Sequence, residues 1–434
     1  MLGILDAPVQ AWLNLPIAAS TTLLVVFGLV AGAIANFVIT TLCWEPRPIS
    51  PWVKIADWPL DEDQQKVAAS LPPRRFLDRV PVLGWLRLSR ESELFGRGFW
   101  IRPLLIELSL VFAFLWMHEA WLTGYLFPES TAAGTIAACR PWMALVFFFH
   151  AILLTLMTAA TFIDFDERTI PDVITIPGTI FGIVLASITP YVFIPGELPA
   201  AVAPVTFQHP LALSPWWMTG GGLAIGLLIW TTWCFALADR RVILRHGWTK
   251  AFEYFMARLT RHSSWKVLAA IWATGVIGVI AVHQIGGTHW LGMLSSLIGL
   301  AVGGGIIWAV RLVGSWAMQM EAMGFGDVTL MAMVGSFIGW QGSIIAFFLA
   351  PLAAIVIVLV RYIITRDHQT PFGPYLCAGT ALTVLWWDRV YNQSFRITIA
   401  IMGSTLFWFS AMMLVLLGVM LWAMRWFKQR FLYN

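Results

Sequence analysis

Long apolar segments recur along this chain, and they constrain its fold more strongly than any other feature of the sequence. A helix needs about 20 apolar residues to cross the hydrocarbon layer of a bilayer, and many segments approach or exceed that length. A shorter apolar segment, 328–340, is predicted to be a half-length or tilted span, which gives ten or eleven crossings in total. The full-length spans are predicted near residues 17–42, 103–125, 142–163, 173–195, 216–238, 267–284, 290–312, 341–364, 374–391 and 397–424.

The composition excludes a soluble globular protein. The 434 residues are 59% hydrophobic and 12% charged, and their mean hydropathy is +0.78. Soluble domains average about 45–50% apolar and about 25% charged residues, so the excess requires lipid around the chain rather than a larger core. We therefore predict an all-α polytopic membrane protein, in which segment 43–102 forms a small cytoplasmic loop subdomain.

Positive charge is concentrated in two loops. Segment 43–102 carries ten Lys or Arg residues and segment 239–266 carries seven, whereas 196–215 and the first 16 residues carry none. Because cytoplasmic loops are enriched in Lys and Arg, both basic segments are predicted to be cytoplasmic and the N-terminus to be outside. The first span has no basic segment before it and is not predicted to be a signal peptide. No nucleic-acid motif accompanies the basic residues, so topology and anionic lipid explain them better.

Two acidic clusters lie at the ends of predicted spans. In TFIDFDERTIPDVITIPG, Asp164 ends the third span and Asp172 precedes the fourth; in GFGDVTLMAMVGSFIGWQ, Asp327 follows the seventh. The third and seventh spans both run from outside to inside. Asp164 and Asp327, although 163 residues apart, are therefore predicted to lie at the same cytoplasmic depth.

A pair of carboxylates at one depth has a specific chemical use. Two such groups that approach closely cannot both ionise easily, so they hold one shared proton. The ionised acid can take a proton from water as it attacks a peptide carbonyl, while the protonated acid donates to the carbonyl oxygen. Gly324 and Gly326 would leave room beside Asp327 for a substrate strand. This pattern indicates aspartic proteolysis without a covalent intermediate.

Other interpretations of these acids stay open. Asp172 follows Pro171 and is typical of a helix N-cap, and Asp164 and Asp327 would also suit polar helix ends at the membrane interface. A proton- or cation-coupled transporter or channel would use intramembrane acids too, but it would place them deep in its spans. No two of the four cysteines have metal-ligand spacing, so no metal site is predicted: Cys43, Cys139, Cys234 and Cys377.

Three motifs together resemble those of the type IV prepilin leader peptidases, membrane aspartic proteases of the GxGD kind. They are IDFDERTIPD at Ile163–Asp172, MGFGD at Met323–Asp327 and PFGPYL at Pro371–Leu376, and they occur in the family's order. The resemblance implies that Asp164 and Asp327 are the catalytic pair and that Asp172 has at most a supporting role. It also implies cleavage of the leader peptide of type IV prepilins or pseudopilins, at the cytoplasmic face of the bacterial inner membrane. Such substrates serve type IV pili or type II secretion.

The chain departs from that family in two respects. Many members carry paired CxxC motifs in the first cytoplasmic loop and N-methylate the new terminus with S-adenosylmethionine, but Cys43 is the only cysteine here before Cys139. We therefore expect no zinc and no cofactor for cleavage, and the missing motifs count against methylation. A catalytically inactive scaffold for a pilus or secretion machine is a further alternative.

The second departure is a longer spacing between the two acids, which suggests inserted spans. The predicted organisation is a first span at 1–42, the loop subdomain at 43–102, a membrane core with Asp164 at 103–215, inserted spans and a basic loop at 216–289, a core with the GxGD motif at 290–391 and an extra C-terminal span at 392–434.

Overall fold

The structure, a computed structural model, is helical in most of the residues it describes. These are 3–43, 49–55, 60–198, 201–208, 214–238, 264–321, 323–365, 371–403 and 405–431. Within these ranges the β-structure is one antiparallel pair of strands, β1 (Pro195–Leu198) and β2 (Ala201–Pro204), in which Pro195 lies opposite Pro204. The predicted all-α class is confirmed.

Eight of the described helices are long and apolar enough to cross a membrane, and two shorter apolar helices accompany them. The α-helices are α1 (Asp6–Leu13), α2 (Ile17–Thr41), α3 (Glu62–Ser70), α4 (Leu83–Leu88), α5 (Ser92–Phe95), α6 (Ile101–Leu122), α7 (Ala133–Ala138), α8 (Arg140–Glu167), α9 (Asp172–Ile188), α10 (Gly220–Leu237), α11 (Ser264–Ile285), α12 (Gly287–Met318), α13 (Phe325–Thr365), α14 (Gly373–Leu385), α15 (Arg396–Met402) and α16 (Thr405–Phe431). The eight long apolar helices are α2, α6, α8, α10, α11, α12, α13 and α16, and the shorter two are α9 and α14.

Three predicted spans differ from the helices that form. The span predicted at 374–391 ends at Leu385, and a π-helix at Asp388–Phe395 follows it. The span predicted at 173–195 ends at Ile188, because Thr189 is extended before Pro190, and a proline disfavours a helical residue in front of it. The span predicted at 397–424 is broken at Gly403, whose φ of +50° separates α15 from α16. Glycine adopts this left-handed conformation without the penalty that other residues carry.

Helix α13 is a helical hairpin rather than one straight rod. Gly339 has φ 73° and ψ 177°, and the chain reverses there. A Cβ atom on Gly335 would lie 3.0 Å from Oγ of Ser343, although a straight helix would separate the two residues by about 12 Å along its axis. The short apolar segment 328–340 therefore forms a helical segment of its own, as the sequence predicts, and the chain returns beside it.

The segment after the β-strands holds this reversal in place. Trp340 Nε1 donates to the carbonyl oxygen of Phe207 at 3.0 Å, and Gln341 Nε2 donates to that of Thr206 at 2.7 Å. Ser295 Oγ on α12 accepts the backbone N–H of Phe207 at 3.2 Å. These bonds satisfy polar groups that would otherwise be costly to bury in an apolar surrounding.

Glycines bring α12 against the first half of α13. A Cβ atom on Gly299 would collide with the carbonyl group of Gly335, and one on Gly335 would collide with that of Gly299. One turn away, Gly303 lies against the carbonyl oxygen of Met331 in the same way. Small residues allow such backbone contact between helices in lipid. The packing is antiparallel, and it fixes the position of the short helix that starts beside Asp327.

A buried carboxylate joins the loop subdomain to the membrane helices. Glu107 of α6 accepts hydrogen bonds from Asn36 Nδ2 of α2 at 3.0 Å, from Trp85 Nε1 at 2.8 Å and from the backbone N–H of Val82. Only 2% of Glu107 is exposed. Val82 has a positive φ of 64°, a strained conformation for a β-branched residue. The predicted subdomain is thus anchored to α2 and α6.

Asp78 organises the inside of that subdomain. Its carboxylate accepts from Arg90 and Arg87, each at 2.8 Å, and from the backbone N–H of Arg75 at 2.7 Å. Burial alone would raise the pKa of Asp78, but the hydrogen bonds from Arg90, the Arg75 backbone and Arg87 outweigh burial and hold the pKa well below its ordinary value. The carboxylate is ionised at any physiological pH.

Candidate active site

Asp164 lies in the last turn of α8 and faces the protein interior. It is 3% exposed. The helix ends beyond it at Arg168, which has the left-handed φ of 56° and donates its N–H to the carbonyl oxygen of Asp164 at 2.9 Å. Oδ2 of Asp164 accepts the backbone N–H of Gly373, 209 residues further along the chain, at 3.0 Å.

Gly373 is the first residue of α14 and belongs to the PFGPYL motif. A Cβ atom at this position would lie 2.5 Å from Oδ2 of Asp164 and 2.8 Å from Cδ1 of Ile170. The hydrogen bond between Asp164 and this N–H therefore requires glycine. The PFGPYL motif is part of the family resemblance, but its sequence indicates no role for it beyond a glycine at the start of an apolar helix.

Asp327 lies at the beginning of α13, as its third residue, and is 7% exposed. Its carboxylate accepts a hydrogen bond from the backbone of Gly324. An acid at this place, bonded back to the residue before the helix, caps the helix start and also benefits from the helix dipole. Its position is thus determined by the three residues that precede it.

The fold brings the two acids together. The charge of Asp164 acts on Asp327, so the carboxylates lie within electrostatic range, and both act on the buried Cys377 of α14. The packing of Ile170 also shows that the two acids are close. Ile170 contacts Gly373, which donates a hydrogen bond to Asp164, and it contacts Gly326, the residue before Asp327. The segment after α8, the start of α13 and the start of α14 therefore meet at one place.

The two glycines of the GFGD motif have different surroundings. At Gly326 an added Cβ atom would meet Ile170 Cβ at 3.0 Å and its backbone N and O at 3.2 Å. At Gly324 the nearest described atoms are Oδ2 of Asp327 at 3.6 Å and N of Gly326 at 3.9 Å. Space for a substrate is thus present at Gly324, whereas at Gly326 it is filled by Ile170. The role of both glycines in the substrate cleft stays a prediction.

Asp172 is exposed at the start of α9. The N-cap of that helix is Pro171, so Asp172 is the first helical residue and not the cap that the sequence suggested. No hydrogen bond or ion pair joins its carboxylate to Asp164 or Asp327 within the described residues. The negative charge of Asp172 interacts favourably with the positive, N-terminal end of the α9 helix dipole. A supporting role in catalysis stays a prediction.

Arg311, near the C-terminal end of α12, holds the GFGD segment in place. Its Nε donates to the carbonyl oxygen of Met323 at 2.9 Å, its guanidinium pairs with Glu321, and its Cζ lies 5.7 Å from the ring centre of Phe325. The arginine also acts electrostatically on Asp327. A single arginine near the end of an apolar span was the only sequence signal for it.

Arg102 has the corresponding position on the side of Asp164. From the start of α6 it donates to Asp166 Oδ1 at 2.7 Å and to the carbonyl oxygen of Phe162 at 3.1 Å, and it lies 4.6 Å from the ring centre of Phe162. Phe162 and Asp166 flank Asp164 in the sequence. Arg102 therefore holds the last turn of α8, and the loop subdomain leads directly into this contact.

No group of three or more His, Cys, Asp or Glu side chains in the described ranges could hold a metal ion. The expectation that no zinc is bound stays a prediction.

Comparison with known proteins gives a family match for part of the chain. Residues 264–359, which include the GFGD motif but not Asp164, match the type IV leader peptidase family. The curated prepilin leader peptidase/N-methyltransferase of Aeromonas salmonicida is 30% identical over 120 residues, which cover 26% of this chain and 39% of that protein. Those of Pseudomonas putida and Pseudomonas aeruginosa are 25% identical over 134 residues and 27% identical over 169 residues.

The similarity that the motifs indicate is thereby confirmed. The alignments cover 30% and 32% of this chain for the two Pseudomonas proteins, and 44% and 58% of those proteins. The chain thus spans less than two thirds of the curated relatives it matches. No solved structure gives a significant match.

Proposed function

We propose that this protein is a membrane aspartic endopeptidase that removes the leader peptide from type IV prepilins or pseudopilins at the cytoplasmic face of the bacterial inner membrane. The observation that carries the proposal is the meeting of Asp164 and Asp327, two buried carboxylates from distant motifs, within electrostatic range at the ends of their helices. The similarity of residues 264–359 to type IV leader peptidases supports the same activity.

The pair works with one shared proton. Oδ2 of Asp164 accepts the N–H of Gly373, which holds this carboxylate in place while it shares a proton with Asp327. The ionised carboxylate takes a proton from a water molecule that attacks the scissile carbonyl, and the protonated carboxyl donates to the carbonyl oxygen. The roles then exchange, and the leaving amine receives a proton. The substrate enters on the open side of Gly324, beside Asp327.

The position of the acids favours a peptidase over an ion pathway. Asp164 is in the last turn of its helix and Asp327 in the first turn of its own. A transporter that carries protons or cations needs ionisable groups near the middle of the membrane. The acid found further inside a helix, Glu107, is fully engaged by three donors from the chain.

The proposal is tested by coexpression with a prepilin. We expect Asp164→Asn and Asp327→Asn each to abolish leader removal, because neither variant can hold and exchange the shared proton, while membrane insertion is unchanged. Asp61→Asn, on the exposed start of α3, is the matched control and should process normally. Cleavage by either catalytic-site variant at the wild-type rate would refute the mechanism. An inactive scaffold would leave the prepilin intact even with the wild-type chain.

Methylation of the product is measured in the same experiment. The curated relatives bear the name prepilin leader peptidase/N-methyltransferase, but the first cytoplasmic segment of this chain lacks the paired cysteines. Mass spectrometry of the new N-terminus reports cleavage and a methyl group together. We propose cleavage alone.

A further inference from the structure

A cavity of about 240 Å³ lies between α6, α8 and α14, apart from the two acids. Its walls are almost entirely apolar. Phe112 and Trp116 of α6 form an exposed side, with 70% and 37% of their surfaces accessible, so the cavity opens laterally between α6 and α14. Both helices contact α8, which forms the floor. In a membrane protein, an opening of this kind faces the hydrocarbon layer.

The cavity continues the face of α8 that carries Asp164. Its floor residues Met157, Leu153 and His150 precede Asp164 by seven, eleven and fourteen positions. At 3.6 residues per turn, the three residues lie within about 40° of Asp164 around the helix axis. Along the axis, Met157 is about 10 Å from Asp164 and His150 is about 21 Å from it. The cavity therefore lies directly outward of the acid.

Helix α14 independently shows that the cavity and the active site lie along one line. Its residues Thr380 and Val384 line the cavity and follow Gly373, the donor to Asp164, by seven and eleven positions. The nearer end of the cavity is thus again about 10 Å from the acid along the helix axis. Two helices that run in opposite directions place the active site and the cavity on one line.

A substrate that follows this line must be helical. A chain that leaves the acids outward along α8 enters the hydrocarbon layer, where backbone groups can be satisfied only inside a helix or a closed barrel. Its side chains must be mostly apolar for the same reason. The cavity is smaller than the roughly 300–1,000 Å³ of pockets that hold small molecules, so it suits a large side chain of such a helix rather than a separate ligand.

We propose that this cavity docks the apolar membrane helix of the substrate, by receiving a bulky side chain seven to fourteen residues beyond the scissile bond. The inference rests on the proposed function, and it adds where the enzyme holds a membrane-anchored peptide. A lipid acyl chain and a second copy of this chain are the other occupants that the test distinguishes.

The first test fills the cavity. Ala113→Phe and Ala381→Phe place an aromatic ring among its lining residues, and Ala269→Phe, on the exposed face of α11, is the matched control. Each variant is assayed with a membrane-anchored prepilin and with a short soluble peptide that contains only the cleavage junction. We expect kcat/KM for the anchored substrate to fall at least about tenfold further than kcat/KM for the soluble peptide, with no such difference in the control. Equal losses on the two substrates would overturn the proposal.

The second test identifies the occupant. A photoreactive p-benzoylphenylalanine at Phe112 should crosslink to the substrate helix at positions seven to fourteen beyond the scissile bond, in the Asp164→Asn background that retains substrate. Adducts formed solely with lipid or with a second copy of the chain would overturn the proposal. If the wild-type protein cleaves neither substrate, the proposed function fails, whereas the crosslink still decides whether the cavity docks the helix.

Discussion

The two acids of the active site are held by different kinds of contact. Asp327 is fixed locally, by Gly324 three residues before it and by its place in the first turn of α13. Asp164 is fixed from a distance, by the N–H of Gly373. A locally determined acid keeps its geometry wherever its helix packs. An acid with a remote donor is correctly oriented only when α14 has packed against α8, so the geometry of Asp164 depends on the assembly of the whole fold.

This difference predicts where the site is most easily broken. Gly373 has no room for a methyl group, because a Cβ atom would meet both Asp164 and Ile170, whereas Gly324 has open space beside it. The two glycines are therefore a matched pair, one for each acid, in which the same substitution has different steric consequences.

Among substitutions that leave both acids in place, the largest effect is expected from Gly373→Ala. The added methyl group displaces Oδ2 of Asp164, and a displacement of about 1 Å at a reacting group can cost about 100-fold in rate. Gly324→Ala is expected to lower the rate less, and mainly through KM if the substrate passes there. Processing of a prepilin in membranes, followed over time for both variants at equal protein level, measures the ratio. A larger loss for Gly324→Ala would show that access beside Asp327, rather than the geometry of Asp164, limits the enzyme.

The difference between local and long-range contacts also explains which features could be predicted from the sequence. Most of the spans and the acids at their ends were predictable, because apolar length acts locally along the chain. The short segment at 328–340 was also predictable from its length. The reversal at Gly339 that makes it a helix of its own depends on a single backbone conformation, which no residue pattern indicates without the packing around it.

The contacts that complete the site were not predictable. The bond from Gly373 to Asp164 joins residues 209 positions apart, and the packing of Ile170 against both Gly326 and Gly373 needs the folded chain. The sequence could not indicate that the neighbour of Gly326 is Ile170. Glycine indicates that something approaches closely, but not what approaches.

A smaller effect is expected from the two arginines that hold the acid-bearing segments. Arg311→Gln removes the hydrogen bond to Met323 beside Asp327, and Arg102→Gln removes those to Phe162 and Asp166 beside Asp164. A hydrogen bond made by a charged group contributes about 1.5–3 kcal/mol at most, and these are partly exposed, so we expect a loss of about tenfold for each variant.

The double variant sharpens the comparison between the two sides. If each arginine positions its own acid, the losses of the single variants multiply, because independent sites contribute additively to the free energy of activation. Measured kcat and KM for the four proteins give the coupling directly. A double variant no worse than either single one would show that both arginines act on one shared element.

The smallest effect on cleavage is expected from Asp78, which lies in the loop subdomain rather than in either acid-bearing segment. Its lowered pKa means that the ionised carboxylate stabilises the subdomain above the unfolded pKa of about 3.9, and that this contribution is lost only as the pH falls further, through the folded pKa. Between pH 5 and pH 8, limited proteolysis of the wild-type subdomain should therefore be constant. Asp78→Asn leaves Arg87 and Arg90 without their buried ionised partner, so the protease should cut this variant faster across this whole range.

Prepilin processing by Asp78→Asn should fall less than in either arginine variant. A larger fall would mean that the subdomain, acting through Arg102 and the start of α6, sets the position of Asp164.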